Sequence, residues 1–378
     1  MGRVVLLERR YCAGEANTNR VLAYAKGLSE LGEDVYIYFL IADKKRTTYY
    51  LDLPNVNVVN LWENDGFLSK RIRAVSFVKN YISFILQVKK GDCIFFHGLY
   101  HYLLCLVKLC GRRAKIFCES TEHPNVFRRH SSRYNYSLAK VLNKQNALFV
   151  ISRSLREHYI SLGVDKRLIH VINMFVDTGR FENLRRTTTE KYIAYCGAVS
   201  YEKDGVNILI ESFAKFHIKH REYKLYIIGK GVEPNIIGKL RDLATQLNVD
   251  KFIVFTGMVS PTEMPQLLYN ASILALSRPN NLQAQNGFPT KLGEYLATGN
   301  PVVVTRVGEI PLFIKHRENG FLADPNPDSF AEQLTWVAEH YELSCVVGHR
   351  GKKLAYGEFS YYSQAKKVLS IMKGNEDN

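Results

Sequence analysis

Lys191-Tyr192-Ile193-Ala194-Tyr195-Cys196-Gly197 restarts a pattern that the chain has already run once. A β-rich run ends at a glycine, a polar loop follows, and 206–217 has helical spacing. The same order opens the chain. Residues 4–7 read as a strand, and 19–31 as a helix with Val21, Leu22, Ala25, Leu28 and Leu31 on one face, stopped at Gly32. Further strands are expected at 34–40, 56–61, 92–96, 114–118, 147–151 and 168–172, with helices near 70–88, 103–109 and 153–162. After the restart, strands are expected at 224–228, 252–255, 272–275 and 301–305. Helices are expected near 233–247, 290–297, 329–340 and 361–372. Strands separated by helices imply right-handed βαβ crossovers and parallel sheets. The fold class is therefore α/β, with two Rossmann-like domains in tandem. The expected division is 1–172, a linker 173–190 containing Arg185-Arg186-Thr187-Thr188-Thr189, a second domain 191–358, and a C-terminal helix and tail 359–378. Ligands of open α/β sheets bind at the carboxyl ends of the strands. Two such domains facing across a cleft would set those ends opposite each other.

Composition bounds the function. The 378 residues are 46% hydrophobic and 23% charged, which excludes a disordered chain. Seven cysteines, odd in number and without a C-x-x-C pair, give neither a disulfide framework nor a zinc site. Net charge is +15, and residues 1–180 hold 28 Lys and Arg against 15 Asp and Glu. That half is expected to meet an anionic surface or substrate. The apolar run after Met1 is too short for a signal segment. No stretch reaches the roughly 18 apolar residues of a membrane span. The expected location is cytoplasmic, with any membrane contact peripheral, at the cytoplasmic face of the inner membrane.

The richest stretch runs from Asn286-Gly287-Phe288-Pro289-Thr290-Lys291 through Glu294 to Gly299-Asn300-Pro301. Pro289 suits the first positions of a helix, and Gly299 the position just past its end. The N–H groups of Thr290 and Lys291 would then be free to seat a phosphate. Glu294, one turn inside, could accept from a ribose diol. An ordinary strand-turn-helix with a surface Lys–Glu pair fits the same residues. The loop Gly197-Ala198-Val199-Ser200-Tyr201-Glu202-Lys203 offers Lys203 as a point charge for a diphosphate. In the first βα turn, Gly14 and Glu15 lack the G-x-G-x-x-G fingerprint, and Gly14 reads equally as a turn glycine.

These residues resemble the retaining glycosyltransferases of family four, which have the two-Rossmann GT-B fold. The matching pieces are Gly197…Lys203, Gly229-Lys230-Gly231, Gly257-Met258-Val259, Gly287-Phe288-Pro289…Glu294…Gly299-Asn300-Pro301, Val307-Gly308-Glu309 and Asn319-Gly320-Phe321. Upstream, Asn173-Met174-Phe175-Val176-Asp177…Phe181 resembles the family's interdomain segment. The resemblance implies a nucleotide-diphosphate sugar as donor. Lys203 and the amides of Thr290 and Lys291 would hold its diphosphate, with Glu294 on the ribose and Gly229, Met258 and Val259 near the nucleoside. Gly14 and Glu15 would come from the other domain, with the C-terminal helix packing back on that domain. Two positions depart from the pattern: Asn286 stands where the family usually has a glutamate, and Ala198 where it often has an arginine. Arg278 is expected to replace the missing charge.

Departure of a nucleoside diphosphate gathers negative charge, which fixed cations stabilise. With no Asp-x-Asp in the chain, no metal and no other cofactor is expected. The acceptor, a saccharide or lipid-linked saccharide, is assigned to the first domain, with Glu122 and His123 as catalytic candidates beside Lys203, Glu294 and Asn286. The implied setting is assembly of envelope polysaccharide, lipopolysaccharide or capsule. Residues 69–90 mix apolar residues with six cations and suit an anionic membrane, or else pack on the sheet with a solvated basic rim. Arg128, Arg129 and Arg133 form a second basic cluster. Nucleic-acid binding through the basic half, a sugar-nucleotide epimerase on the same fold and a non-catalytic homologue are the competing readings. No nucleic-acid recognition module is evident, and the glycine loops fit a small-molecule site better.

Overall fold

A computed structural model describes residues 2–10, 16–43, 53–60, 63–64, 70–97, 109–110, 113–126 and 132–374. Gly14, Glu15, most of the helix expected near 103–109, and Arg128 and Arg129 lie outside them. The chain forms two compact units, 1–175 with 361–378, and 176–360.

The first unit carries parallel strands β1 (Val4–Arg10), β2 (Val35–Asp43), β3 (Val56–Asn60), β4 (Glu63–Asn64), β5 (Cys93–His97), β6 (Lys115–Ser120), β7 (Ala147–Val150) and β8 (Ile169–Val171). Their order is β3-β2-β1-β5-β6-β7-β8, with the two-residue β4 on β2. β1 lies between β2 and β5, with Leu6 beside Ile37 and Phe95. Its flanking strands read as continuous apolar runs because helices cover both faces. The helix Ala16–Glu30 buries Val21, Tyr24, Ala25 and Leu28 against this sheet. The C-terminal helix Tyr361–Lys373 joins the same core through Ala365, Val368, Leu369 and Met372, so it packs back on the first unit. Each valine, leucine or methionine among these contributes about 1.5–3 kcal/mol on removal from water, as an upper figure.

The second unit carries β9 (Lys191–Cys196), β10 (Tyr223–Ile228), β11 (Ile253–Gly257), β12 (Ile273–Leu276), β13 (Val302–Thr305) and β14 (Phe321–Ala323), all parallel, in the order β11-β10-β9-β12-β13-β14. Residues 176–190, read from sequence as part of a linker, pack within this unit. Arg186 donates to the carbonyls of Asn270 and Ala271, and the Thr187 N–H donates to Asn270 Oδ1 at 3.0 Å. Where the chain enters and leaves the unit the two passages pair: the Val176 N–H donates to the Phe359 carbonyl at 2.9 Å. The helix Tyr341–Tyr356 has no counterpart in the sequence reading. Gly348 and Gly351 weaken its helical signal, but a Cβ at Gly348 would collide with the backbone of Gly299 and Asn300. The glycine is there for close approach, not for a turn.

One buried ion pair fixes the end of the first unit. Arg20 and Glu119 meet at 2.6 Å, and Tyr24 donates to the same carboxylate at 2.5 Å. Arg20 also donates to the carbonyls of Ile172 and Asn173, where the chain leaves the sheet. Removing one partner strands a buried charge, which costs about 3–5 kcal/mol. An Arg20→Met variant should therefore lose about 3–5 kcal/mol of unfolding free energy in a denaturant titration of the first unit.

Candidate functional site

The strand order of the second sheet reverses between β9 and β12, so the loops after these two strands bound the topological switch point. After β9 the chain passes Gly197 and enters the one-turn helix Tyr201–Asp204. Ser200 caps it, accepting from the Lys203 N–H at 3.1 Å and donating to Glu233 Oε1 at 2.5 Å. The cap sets the Lys203 backbone, and its carbonyl lies 3.5 Å from Arg278 Nε. Asp204, next in the chain, is 1% exposed. Its carboxylate accepts from the Tyr195 hydroxyl at 2.7 Å and from the Lys291 ammonium, with Arg278 Nε 3.9 Å away. Burial pushes the Asp204 carboxyl up. Lys291 and Arg278 outweigh it and hold the group below the usual carboxylate range. Two cations, Lys291 and Arg278, therefore share the one buried carboxylate, and Lys203 and Glu202 lie in the same short helix.

The glycine pieces meet at this corner. Lys291 crosses directly over Gly197, where a Cβ would strike its ammonium. Gly229, with φ 137°, lies against the Gly197 carbonyl so closely that a Cβ has no room, and its N–H donates to the Gly257 carbonyl at 2.9 Å. Helix Thr290–Thr298 starts after Pro289 and ends at Gly299 in the left-handed region, φ 79°. No side chain caps its first turn, so the amides of Thr290 and Lys291 are not taken by a cap. Tyr295 ties the helix to β9 by accepting from the Cys196 N–H at 2.6 Å.

Glu294 faces a different partner. Its Oε1 accepts from Arg180 at 2.8 Å, and Arg180 also donates to the Pro261 carbonyl at 3.0 Å. Burial pushes the Glu294 carboxyl above the usual range, and Arg180 pulls against it. Met258 is 61% exposed and Val259 half-buried, in the loop between β11 and Pro261. Other sequence candidates are spent on structure. The Phe288 ring is buried between Phe313 and Phe359, so it anchors the turn and only its backbone is left for a ligand. The Gly287 N–H donates to the Gln283 carbonyl and the Asn286 side-chain amide to the Leu282 carbonyl, both at 2.9 Å.

In the first unit, Glu122 and His123 follow β6 as expected. His123 Nδ1 accepts from the Asn125 N–H at 3.1 Å, so the neutral ring carries its proton on Nε2. His158 packs against it, ring centroids 4.0 Å apart and the planes tilted by 47°. Burial lowers both rings, and His123 adds to the effect on His158, which falls to about 4. Sequence reading missed Asp204, Arg180, Tyr195, Tyr295 and His158. Asp204 adjoins Lys203, but nothing local says that it turns inward. The others meet their partners only through tertiary contact.

Two family models match the chain. "Glycosyltransferase Family 4" covers residues 18–180 and "Glycosyl transferases group 1" covers 190–340. An uncharacterized glycosyltransferase of Methanocaldococcus jannaschii is 28% identical over 60% of this chain and 59% of its own length. The MMP alpha-(1->4)-mannosyltransferase of Mycolicibacterium hassiacum is 24% identical over 59% of this chain and 53% of its own. The chain thus spans somewhat over half the length of these curated relatives. Among solved structures, Anabaena HepE in complex with UDP superposes with a TM-score of 0.76 at 15% identity, over 99% of this chain and 100% of that one. WaaG, described as a glycosyltransferase involved in lipopolysaccharide biosynthesis, has a TM-score of 0.67 at 13% identity, over 98% of this chain and 100% of that one. Both likenesses establish the fold, α/β of the GT-B type.

The histidine pair makes a test. Both rings are held neutral in the folded chain, so the stability this gives is present above the ordinary value of 6.5 and is lost as pH falls toward about 4. The melting temperature should decline across that window. His158→Phe, which keeps the ring packing without the titrating group, should flatten the decline in melts recorded at stepped pH.

Proposed function

This chain belongs to the glycosyltransferases of family 4 and group 1, and from that premise we propose that it moves a sugar from a nucleotide-diphosphate sugar to a saccharide or lipid-linked saccharide acceptor. The observation that carries the reading is the convergence at the second unit's switch point. Gly197, Gly229, Gly257, the Lys203 backbone, Arg278 and the start of helix Thr290–Thr298 come together there, around the buried Asp204 carboxylate that Lys291 and Arg278 share. A departing diphosphate gathers negative charge as the glycosidic bond breaks. Fixed cations and helix-start amides favour that charge more than they favour the intact donor. Lys203 and the amides of Thr290 and Lys291 are assigned to the diphosphate, and Glu294 to the ribose. Arg278 acts from behind, through Asp204 and the Lys203 carbonyl. HepE has been crystallised with UDP and with UDP-glucose, which supports a donor of this class. The acceptor is assigned to the first unit, where His123 offers an Nε2–H donor. Metal independence and retention of the anomeric configuration belong to the same proposal. Three fixed positive groups do the work that a divalent ion would do, and the leaving phosphate takes the acceptor's proton on the face it departs from.

A membrane partner fits the first unit. Helix Lys70–Gln87 buries Tyr81, Phe84 and Ile85, with Phe84 edge-on to Tyr38 at 5.0 Å. Its outer face leaves Val78 48%, Ile82 52% and Leu86 76% exposed, four residues apart, beside exposed Lys79, Lys89 and Lys90. An apolar stripe flanked by lysines suits an anionic lipid surface, each cation adding about 1 kcal/mol near the headgroups. No described helix is long and apolar enough to cross a membrane, so the contact is proposed as peripheral.

Three measurements test these readings. Arg278→Ala should weaken nucleoside-diphosphate binding by titration calorimetry. The variant removes one of the two cations that hold Asp204 and the contact to the Lys203 carbonyl, so the loop that presents Lys203 loses its support, and unchanged affinity would remove Arg278 from the site. Sugar transfer should persist at full rate with excess chelator, and a rate restored only by added divalent ion would overturn metal independence. Sedimentation with liposomes should rise with anionic lipid content and drop in Ile82→Glu; binding indifferent to both would rule out the stripe.

A further inference from the structure

Arg180 is the side chain that joins two pieces of the second unit which the chain sequence keeps far apart. It sits in the turn Thr178–Phe181, before the first strand of the sheet. That turn is firmly seated: Phe181 is 1% exposed, Thr178 is buried, and the Tyr356 hydroxyl donates to the Thr178 carbonyl at 3.3 Å. From this base the guanidinium divides its donors. One nitrogen donates to Glu294 Oε1 at 2.8 Å, and the other to the Pro261 carbonyl at 3.0 Å. A planar fork with donors fixed in one plane holds two acceptors at a set separation, which a lysine cannot do. Arg180 and Glu294 are both largely shielded, at 24% and 21% side-chain exposure. Among the described residues Oε1 alone of the Glu294 carboxylate carries a hydrogen bond, which leaves Oε2 to accept from a ligand.

We propose that Arg180 is a positioning residue for the nucleoside half of the donor: it locks the Glu294 carboxylate to the 258–261 loop so that Oε2 stands ready to accept from the ribose diol. The proposal rests on the donor-binding reading of this unit. Glu294 touches the ribose; Arg180 does not, and acts by fixing the carboxylate's rotamer and keeping it ionised. A carboxylate free to turn gives up orientation, and with it the discrimination between a ribose and a sugar lacking those hydroxyls.

The test compares full-length wild type with Arg180→Met, Arg180→Lys and Glu294→Ala, each first checked for an unchanged melting profile. UDP, GDP, ADP and CDP are screened by calorimetry, and the tightest binder is compared with its 2′,3′-dideoxy counterpart and with inorganic pyrophosphate. Wild type should prefer the ribonucleotide by about tenfold or more, the worth of one charge-assisted hydrogen bond. Arg180→Met should reduce that preference to about threefold or less, leave pyrophosphate binding within about twofold, and be partly rescued by Arg180→Lys, since lysine reaches one acceptor at a time. Full ribose preference in Arg180→Met overturns the proposal. So does an equal loss for pyrophosphate, which would mark a general structural role. Ribose preference that survives Glu294→Ala, or no nucleotide binding at all in wild type, overturns the underlying donor reading instead.

Discussion

Asp204 is a carboxylate taken almost wholly out of water, and the second unit's loops are arranged around it. An ionised carboxylate cannot remain in such a place unpaired. Lys291, Arg278 and the Tyr195 hydroxyl supply the pairing, and each comes from a different stretch of chain: the helix start, the loop after β12 and the end of β9. Satisfying one charge therefore ties a strand end, a loop and a helix start together. It also holds Lys291 across Gly197, which explains why that position has no side chain.

The first unit solves a similar problem with the opposite emphasis. Arg20, Glu119 and Tyr24 form a buried cluster with its donors spent on carbonyls at Ile172 and Asn173. Its role is to anchor the outgoing chain. The His123–His158 pair nearby is different in kind. Burial holds both rings neutral, and the Asn125 N–H on Nδ1 leaves the His123 proton on Nε2.

Most of the architecture was legible from local pattern. The strands at 4–7, 191–196 and 301–305 are apolar runs bounded by glycine or proline, and each appears close to where the pattern put it. Gly299 ends its helix in the left-handed region, which glycine enters without the Cβ penalty. The role of the Phe288 ring was not legible: the turn reads as a loop from its glycine and proline, whereas the ring pins it to Phe313 and Phe359, which come from elsewhere in the chain. Helix Tyr341–Tyr356 was missed because its glycines serve packing against Gly299 and Asn300, a constraint that acts across about fifty positions.

Sequence alone determined the alternation of strand and helix, the tandem repetition of that alternation, the charge asymmetry and the glycine and lysine positions of the donor-type loops. Periodicity, turn chemistry and composition are local, so they survive in a linear reading. Tertiary structure decided which charge meets which. Lys291 turned to Asp204, Glu294 turned to Arg180, and the segment read as a linker became part of the second unit. Those choices depend on desolvation, which is felt only when distant parts of the chain exclude water together.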